Sequence, residues 1–386
     1  MNMKICFLMD SIFSFGGVQR VTAVLAKELA RDNDVTIVTF DSSSAEDTSL
    51  YNLYQANIHY RYFSYPETSK WKNLFCKTYS FLYRKVLPQN KLTSNWYSHS
   101  SFPSEKRLAL AKELKDGNYN VIIGVHAPLA ARLASCGPYL GNSKLIGWIH
   151  NSYEALFSKD SLYIGEELRK HYEYQLQKLH NTIVLCHDDA KKYHIPVQVI
   201  YNPLTLEPGS LSQGKTKKFL AVGRFSHLHK GFDLLIDAFN IFAQKNKEWT
   251  LDIVGGGEEE QIYKKMIAEY GLQNRIHIHP FTNQIQSYYS NAQIYVLSSR
   301  WEGFGLVLVE AMAHGLPIIS SNLPTSKEIM RDFGMYFTIG NIYELAQQLH
   351  NATEIDWKKE SSKAIEIAKR FDISNIIEQW KNIIYE

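Results

Sequence analysis

Residues 302–317 read EGFGLVLVEAMAHGLP, and how this stretch folds governs the reading of the whole chain. The run Gln293-Ile294-Tyr295-Val296-Leu297 before it has the composition of a buried strand. A turn containing Gly303 and Gly305 follows, then a helix over Leu306–Ala313 that is apolar on almost every side and is therefore expected to be buried. Glu310 lies inside that helix, where a carboxylate is costly unless something hydrogen-bonds it. The free N–H groups at the helix start, near Phe304, Gly305 and Leu306, suit an anion. Strand, glycine turn and buried acidic helix together describe a site with a phosphate at the helix tip and a hydroxyl-rich ring at Glu310. The competing reading is a buried glutamate paired with a structural Lys or Arg.

Residues 219–239, FLAVGRFSHLHKGFDLLIDAF, repeat the strand-then-helix logic. Phe219–Val222 is expected to be a buried strand that Gly223 ends. Arg224 then stands at its carboxyl end, where ligands of open α/β sheets bind. Lys230-Gly231 opens a helix whose apolar positions Phe232, Leu235, Ile236 and Phe239 have helical spacing. Arg224 offers a planar fork for phosphate oxygens and Lys230 a compact charge. The bland alternative is two solvated cations. In LDIVGGGEEE, residues 251–260, three glycines are expected after a strand, where they would let backbone approach a ligand. Glu260 stands where the third glycine of a G-x-G-x-x-G fingerprint would be, so that motif is incomplete.

The first half opens in the same way. Lys4–Met9 reads as a strand, Gly16-Gly17 precedes an amphipathic helix carrying Val21, Val24, Leu25 and Leu29, and Asp34–Phe40 reads as the next strand. A diglycine before a helix can admit a phosphate or sugar to backbone N–H groups, or can simply be a turn. Two histidines, His126 and His150, follow the apparent strands Val121–Val125 and Leu145–Ile149. Neither has metal-ligand spacing, and no metal is expected.

A chain of 386 residues exceeds the usual single core, so two domains are expected. Strands alternating with helices argue for an α/β class in both halves. The expected divisions are residues 1–202, a linker over 203–217, residues 218–370 and a last helix within 371–386. Net charge is only +3, so no nucleic acid partner is indicated. The four cysteines are scattered, and the opening apolar run is too short for a signal-peptide core, so a reduced, cytoplasmic protein is expected. Charge is nevertheless uneven. From Thr68 to Ser104 there is no acidic residue, while six bases and eight aromatics occur. Trp71, Phe75, Tyr79, Leu82 and Val86 fit one helical stripe. Residues 70–97 therefore read either as a basic amphipathic segment on an anionic membrane surface, peripheral to the inner face of the plasma membrane, or as a core helix with a solvated basic face.

The stretches 302–317 and 222–231 resemble the signature of the retaining glycosyltransferases of family 4. The resemblance covers nearly the whole chain, densely in the second half and thinly between Asp41 and Lys115. It implies the GT-B fold: two Rossmann-like parallel-sheet domains facing a central cleft, with a C-terminal helix crossing back to the first domain. It also implies a nucleotide-sugar donor, UDP before GDP, and no cofactor or metal. By the same resemblance Glu302 contacts the donor sugar, Glu310 grips the ribose, and Arg224 and Lys230 hold the diphosphate. Gly303, Phe304, Gly305 and Leu306 line the donor, with the segment His279–Thr282 near the base. Gly16-Gly17 corresponds to the family's N-terminal glycine loop, and His150 to a histidine that touches the donor sugar. The implied acceptor is a saccharide, lipid-linked, in surface polysaccharide synthesis. The rival expectations are a GT-B epimerase or hydrolase, a Rossmann oxidoreductase, disfavoured by the incomplete glycine fingerprint, and a non-catalytic donor-binding subunit. Ser298-Ser299-Arg300-Trp301 before Glu302 departs mildly from the family pattern, which bears on the choice of sugar.

Overall fold

Short apolar, β-branched runs alternate along this chain with helices of 3.6-residue period, a pattern that builds parallel sheets covered by crossover helices. The computed structural model describes residues 2–161, 163–206, 208–226 and 229–386. Its contacts divide into two compact units, residues up to Pro203 together with Ile373–Glu386, and Leu204–Asp372. Glu207, within the stretch expected to be the linker, lies outside the described residues.

In the first unit the strands are β1 (Lys4–Met9), β2 (Asp34–Thr39), β3 (Ile58–Tyr62), β4 (Val121–Val125), β5 (Lys144–Trp148), β6 (Asn181–Val184) and β7 (Gln198–Val199). They form one sheet in the order β3-β2-β1-β4-β5-β6-β7, every pair parallel. In the second unit β8 (Lys218–Phe225), β9 (Thr250–Gly257), β10 (Ile276–His279), β11 (Ile294–Leu297), β12 (Ile318–Ser321) and β13 (Met335–Phe337) form a sheet in the order β10-β9-β8-β11-β12-β13, again all parallel. The sheets thus have the doubly wound design expected of both halves. Strands β1, β4 and β11 are buried along almost their whole length, as strands covered on two faces must be.

Two expectations about strand ends are corrected. Gly223 does not end its strand, because β8 runs on to Phe225. The glycines Gly255, Gly256 and Gly257 do not follow a strand either, since they pair with Gly223, Arg224 and Phe225 inside the β8–β9 ladder. At Gly255 and Gly257 the need for glycine is close backbone approach between strands, while Gly256 faces open space. A Cβ on Gly255 would sit 1.9 Å from the Gly223 carbonyl oxygen, and one on Gly257 would sit 2.1 Å from that of Phe225.

The basic aromatic segment forms helices Lys70–Lys85 and Lys91–Ser101. The first of these buries only Tyr83, which stacks on Tyr97 at 4.6 Å and hydrogen-bonds Ser94 at 2.7 Å. Of its apolar stripe, Tyr79 is half-buried against the first unit's core, while Trp71 is 83% exposed, Phe75 75% and Val86 70%. The helix therefore rests on the core through Tyr83 and Tyr79 and leaves the remainder of its apolar stripe exposed. Among the described residues no helix is long and apolar enough to cross a membrane.

The last helix, Ile373–Tyr385, belongs to the first unit although it follows the whole second unit in sequence. It packs against helix Gly17–Leu29, and the Trp380 ring meets Trp148 of β5 at 4.8 Å, edge to face. Lys144 donates to the Ile383 carbonyl at 2.6 Å, and the Asn33 amide donates to the Tyr385 hydroxyl at 2.8 Å. Trp380 is fully buried. Trp380→Ala should therefore lower the stability of the first unit by about 3–5 kcal/mol, the usual cost of emptying an aromatic site. Urea unfolding followed by tryptophan fluorescence will measure it.

Candidate functional site

In the second unit, two loops at the carboxyl ends of β8 and β11 are drawn together by a buried ion pair. The Lys230 ammonium reaches Glu302 at 2.5 Å, and the Ser299 hydroxyl donates to the same carboxylate oxygen at 2.6 Å. Both partners of the ion pair are largely removed from water. The lysine stem lies over Gly223, where any Cβ would meet its Cγ at 2.7 Å. The V-G-R sequence is thus explained: glycine leaves the space that the lysine chain occupies. Burial pushes the Glu302 carboxyl up, but the Lys230 charge and the nearby His229 outweigh it, and the group is held below the usual carboxylate range.

Side chains around the pair fix the loops. The His229 ring stacks on Trp301 at 4.6 Å with planes 8° apart and its Nε2–H donates to the Trp301 carbonyl at 2.6 Å. Ser298 donates to the Lys230 carbonyl at 2.7 Å. Arg300 grips Asp233 with both guanidinium nitrogens, at 2.8 and 2.6 Å. Burial lowers the proton affinity of His229, with Glu302 opposing and the charges of Lys230 and Arg224 reinforcing the shift. Arg224 itself is exposed, one residue beyond Gly223.

Gly303 and Gly305 lie in the turn that follows. Gly305 has φ +84° and precedes helix Leu306–Ala313, whose amino end carries no side-chain cap. A positive φ of this kind costs a residue with a Cβ energy that glycine avoids. Phe304 is buried against Phe371 at 5.7 Å, and Leu306 opens the helix. One turn further on, Glu310 is buried and accepts from the hydroxyls of Thr205 at 3.1 Å and Tyr289 at 3.0 Å. Buried Tyr295 lies within the field of both carboxylates; burial first, then Glu302 and Glu310, raise its phenol. Lys230 and Glu302 therefore meet beyond the carboxyl ends of the two central strands of the second sheet, with Arg224 near the end of β8 and Glu310 in the helix that follows β11. A separate hollow of about 630 Å³ is lined by His279 and Thr282, with Lys218, Asp252 and Tyr288 among its other walls.

In the first unit, Gly16-Gly17 follow β1 and open helix Gly17–Leu29. The Gly16 N–H is taken by the Tyr51 hydroxyl at 2.9 Å, a partner from a remote loop that local sequence did not foretell. His150 follows β5 and is buried. Its Nε2 has no hydrogen-bond partner among the described residues. Burial, and then His126, hold its proton affinity well below the ordinary histidine value. Ser299, His229, Trp301, Thr205 and Tyr289 were not among the sequence candidates. His229 and Trp301 were detectable as neighbours of Lys230 and Glu302. Thr205 and Tyr289 carried no local signal.

Residues 205–371 match the family model described as glycosyl transferases group 1. The chain is 36% identical over 193 residues to an uncharacterized glycosyltransferase of Haemophilus influenzae, covering 48% of this chain and 54% of that protein. It is 30% identical over 174 residues to the amylovoran biosynthesis glycosyltransferase AmsD of Erwinia amylovora, covering 44% and 48%. The matched stretch thus spans about half the length of these curated relatives. Among solved structures, Anabaena HepE in complex with UDP and glucose aligns over 100% of both chains with a TM-score of 0.72 at 20% identity. At that identity the likeness speaks for the fold, and the fold is GT-B.

Lys230→Met should leave Glu302 as an unpaired buried carboxylate and cost about 3–5 kcal/mol at pH 7. In the parent chain Glu302 titrates below its unfolded value, so its contribution is present above the ordinary carboxylate pKa of ~4.3 and fades as pH falls through the folded value. The gap between variant and parent should accordingly narrow on acidification, as denaturant titrations across that range will show.

Proposed function

We propose that the protein is a retaining glycosyltransferase that moves a hexose or N-acetylhexosamine from a nucleotide-diphosphate sugar, with UDP as the nucleotide, to a saccharide acceptor. The observation that carries this reading is the Lys230–Glu302 pair at the end of β8, beside exposed Arg224 and the uncapped helix at Gly305. The group 1 match over 205–371 supports the reaction class. The complex of HepE with UDP and glucose supports the donor, and the part AmsD plays in amylovoran biosynthesis supports a role in surface polysaccharide synthesis.

Breaking the anomeric bond leaves positive charge on the sugar and negative charge on the departing diphosphate. Arg224 and Lys230 supply cations, and the N–H groups at Leu306 supply dipoles, where that negative charge grows. Fixed charges aimed at developing charge are often the largest catalytic term, with roughly 2.7–4 kcal/mol lost per donor removed. Glu302 holds Lys230 in place while the site is empty and orients the sugar when it is filled. Glu310, already bonded to two hydroxyls, is suited to a ribose diol. His150 offers its free Nε2 to a sugar hydroxyl. Front-face attack with a donor phosphate oxygen taking the acceptor's proton fits a site whose carboxylates are otherwise engaged, and needs neither metal nor cofactor.

The acceptor is lipid-linked in this reading, and the protein works at the cytoplasmic face of an anionic membrane. Support comes from the exposed aromatic residues of helix Lys70–Lys85 and from the charges of that helix and the start of helix Lys91–Ser101. Lys72 is paired with Glu105 and Arg84 with Glu167, whereas Lys70, Lys77, Lys85 and Lys91 are exposed and free to meet lipid phosphates. Trp71→Ser combined with Phe75→Ser should abolish flotation with phosphatidylglycerol vesicles while leaving thermal stability unchanged; equal flotation of parent and variant would remove the membrane from the proposal.

Arg224 is exposed, so its loss should not disturb folding. Arg224→Ala should cut kcat/KM for UDP-sugar turnover about tenfold to a hundredfold, the worth of one charge-assisted hydrogen bond of ~1.5–3 kcal/mol, at an unchanged melting temperature. Turnover equal to the parent's would refute the diphosphate site.

A further inference from the structure

Arg107 is a charge that the first unit buries without a counter-charge. It lies on helix Ser104–Asp116 and is only 7% exposed. Among the described residues no carboxylate pairs with it, and Glu105, two residues before it, is engaged by Lys72 at 2.6 Å. Its guanidinium makes one hydrogen bond, from Nη1 to His99 Nδ1 at 2.7 Å, while its buried Nε has no partner among the described residues. Arginine can only donate, so His99 accepts at Nδ1 and is uncharged in this arrangement. A guanidinium cannot shed its proton to escape burial, so it calls for an anion.

The carboxyl end of helix Ala127–Cys136 links Arg107 to a second unsatisfied group. The Cys136 thiol donates to the Arg107 carbonyl at 3.6 Å, and the Ser135 hydroxyl donates to Gln175 Oε1 at 3.4 Å. Gln175 is fully buried, and its Nε2 has no partner among the described residues. Lys178 donates to the same Gln175 oxygen at 3.1 Å and stands 4.0 Å over the Tyr174 ring. Among the described residues Lys178 also lacks a carboxylate partner. Desolvation lowers the proton affinity of His99, and the charges of Arg107 and then Lys178 reinforce the shift, so both cations act on one ring. The helix end supplies some negative partial charge, but the guanidinium turns to His99 instead.

Every unsatisfied group here is a donor, and two of the side chains are cations. A forked guanidinium beside an ammonium matches an anion with several oxygens, and phosphate is the one such sets commonly bind. Leu92, Trp96 and His99 follow one another at i, i+4 and i+7 on helix Lys91–Ser101. Leu92 and Trp96 are exposed, so an apolar strip leads up to the cations. We propose that Arg107, Lys178 and His99 form a phosphate-binding site in the first unit, in addition to the cations of the second, whose ligand is a phosphate monoester. The apolar strip points to a lipid headgroup as its source, and a soluble metabolite is the other.

Melting temperature is measured for the full chain, Lys178→Gln, Arg107→Met and Arg224→Ala, with glycerol 3-phosphate and with potassium chloride of equal ionic strength. Each protein is also floated with phosphatidylcholine vesicles that carry equal charge as phosphatidic acid or as phosphatidylserine. Expected is a rise on the order of 2–4 °C with saturating glycerol 3-phosphate in the parent and in Arg224→Ala, absent from the other two variants. Preferential flotation with phosphatidic acid, lost in the same two variants, identifies the lipid source; a glycerol 3-phosphate response without that preference identifies a soluble one. Lys178 is exposed, so Lys178→Gln keeps the fold and decides the outcome if Arg107→Met melts too early to be read. A parent that responds in neither arm, a Lys178→Gln chain that responds as the parent does, or a response lost in Arg224→Ala alone would overturn the proposal.

Discussion

Two charges buried side by side, Lys230 on the loop after β8 and Glu302 on the loop after β11, are the constraint on which the second unit's working edge is built. Neither charge is tolerable alone in that setting, because desolvation of an unpaired ion outweighs most of what a domain can spare. The loops must therefore meet, and the surrounding contacts all serve that meeting. Gly223 clears the path of the lysine stem. The His229–Trp301 stack and the Arg300–Asp233 fork tie the same two loops a second and third time. The outcome is a lysine fixed in place by its carboxylate partner, beside an arginine that remains in solvent.

The first unit solves a similar problem with different chemistry. Its strand ends present imidazoles rather than cations, and glycine-loop amides of which one is already answered by Tyr51. The orphan nitrogen at His150 persists because β4 and β5 are locked in register beneath it. That rigidity owes something to the final helix, whose Trp380 packs on Trp148, the residue two positions before His150.

Where local chemistry carried the signal, it was legible. A carboxylate amid seven apolar helical residues, or Arg and Lys at a strand end, is conspicuous because burying or clustering charge is expensive. Glu302, Glu310, Arg224 and Lys230 stand out for that reason, and all four lie on β8, on the loops after β8 and β11, or on the helix that follows β11. The glycines of β9 could not be placed from sequence because glycine answers equally to a ligand and to a neighbouring strand; the ladder with β8 accounts for Gly255 and Gly257. The stripe on helix Lys70–Lys85 was ambiguous because amphipathic spacing is the same whether the apolar face meets a core or a membrane; only the tertiary structure shows that Tyr79 and Tyr83 meet the core while Trp71, Phe75 and Val86 stay exposed.

Sequence by itself determined the two parallel-sheet α/β design, since alternating strand and helix periods are local properties that each segment carries with it. It also singled out Lys230, Glu302 and Glu310 as charges that would need partners. Tertiary structure alone decided the partners: Glu302 for Lys230, 72 residues away, Thr205 for Glu310, 105 away, and Tyr385 for Asn33, 352 away. Such pairings depend on strand order and register, which arise from the packing of the whole sheet and leave no mark in any short window of the chain.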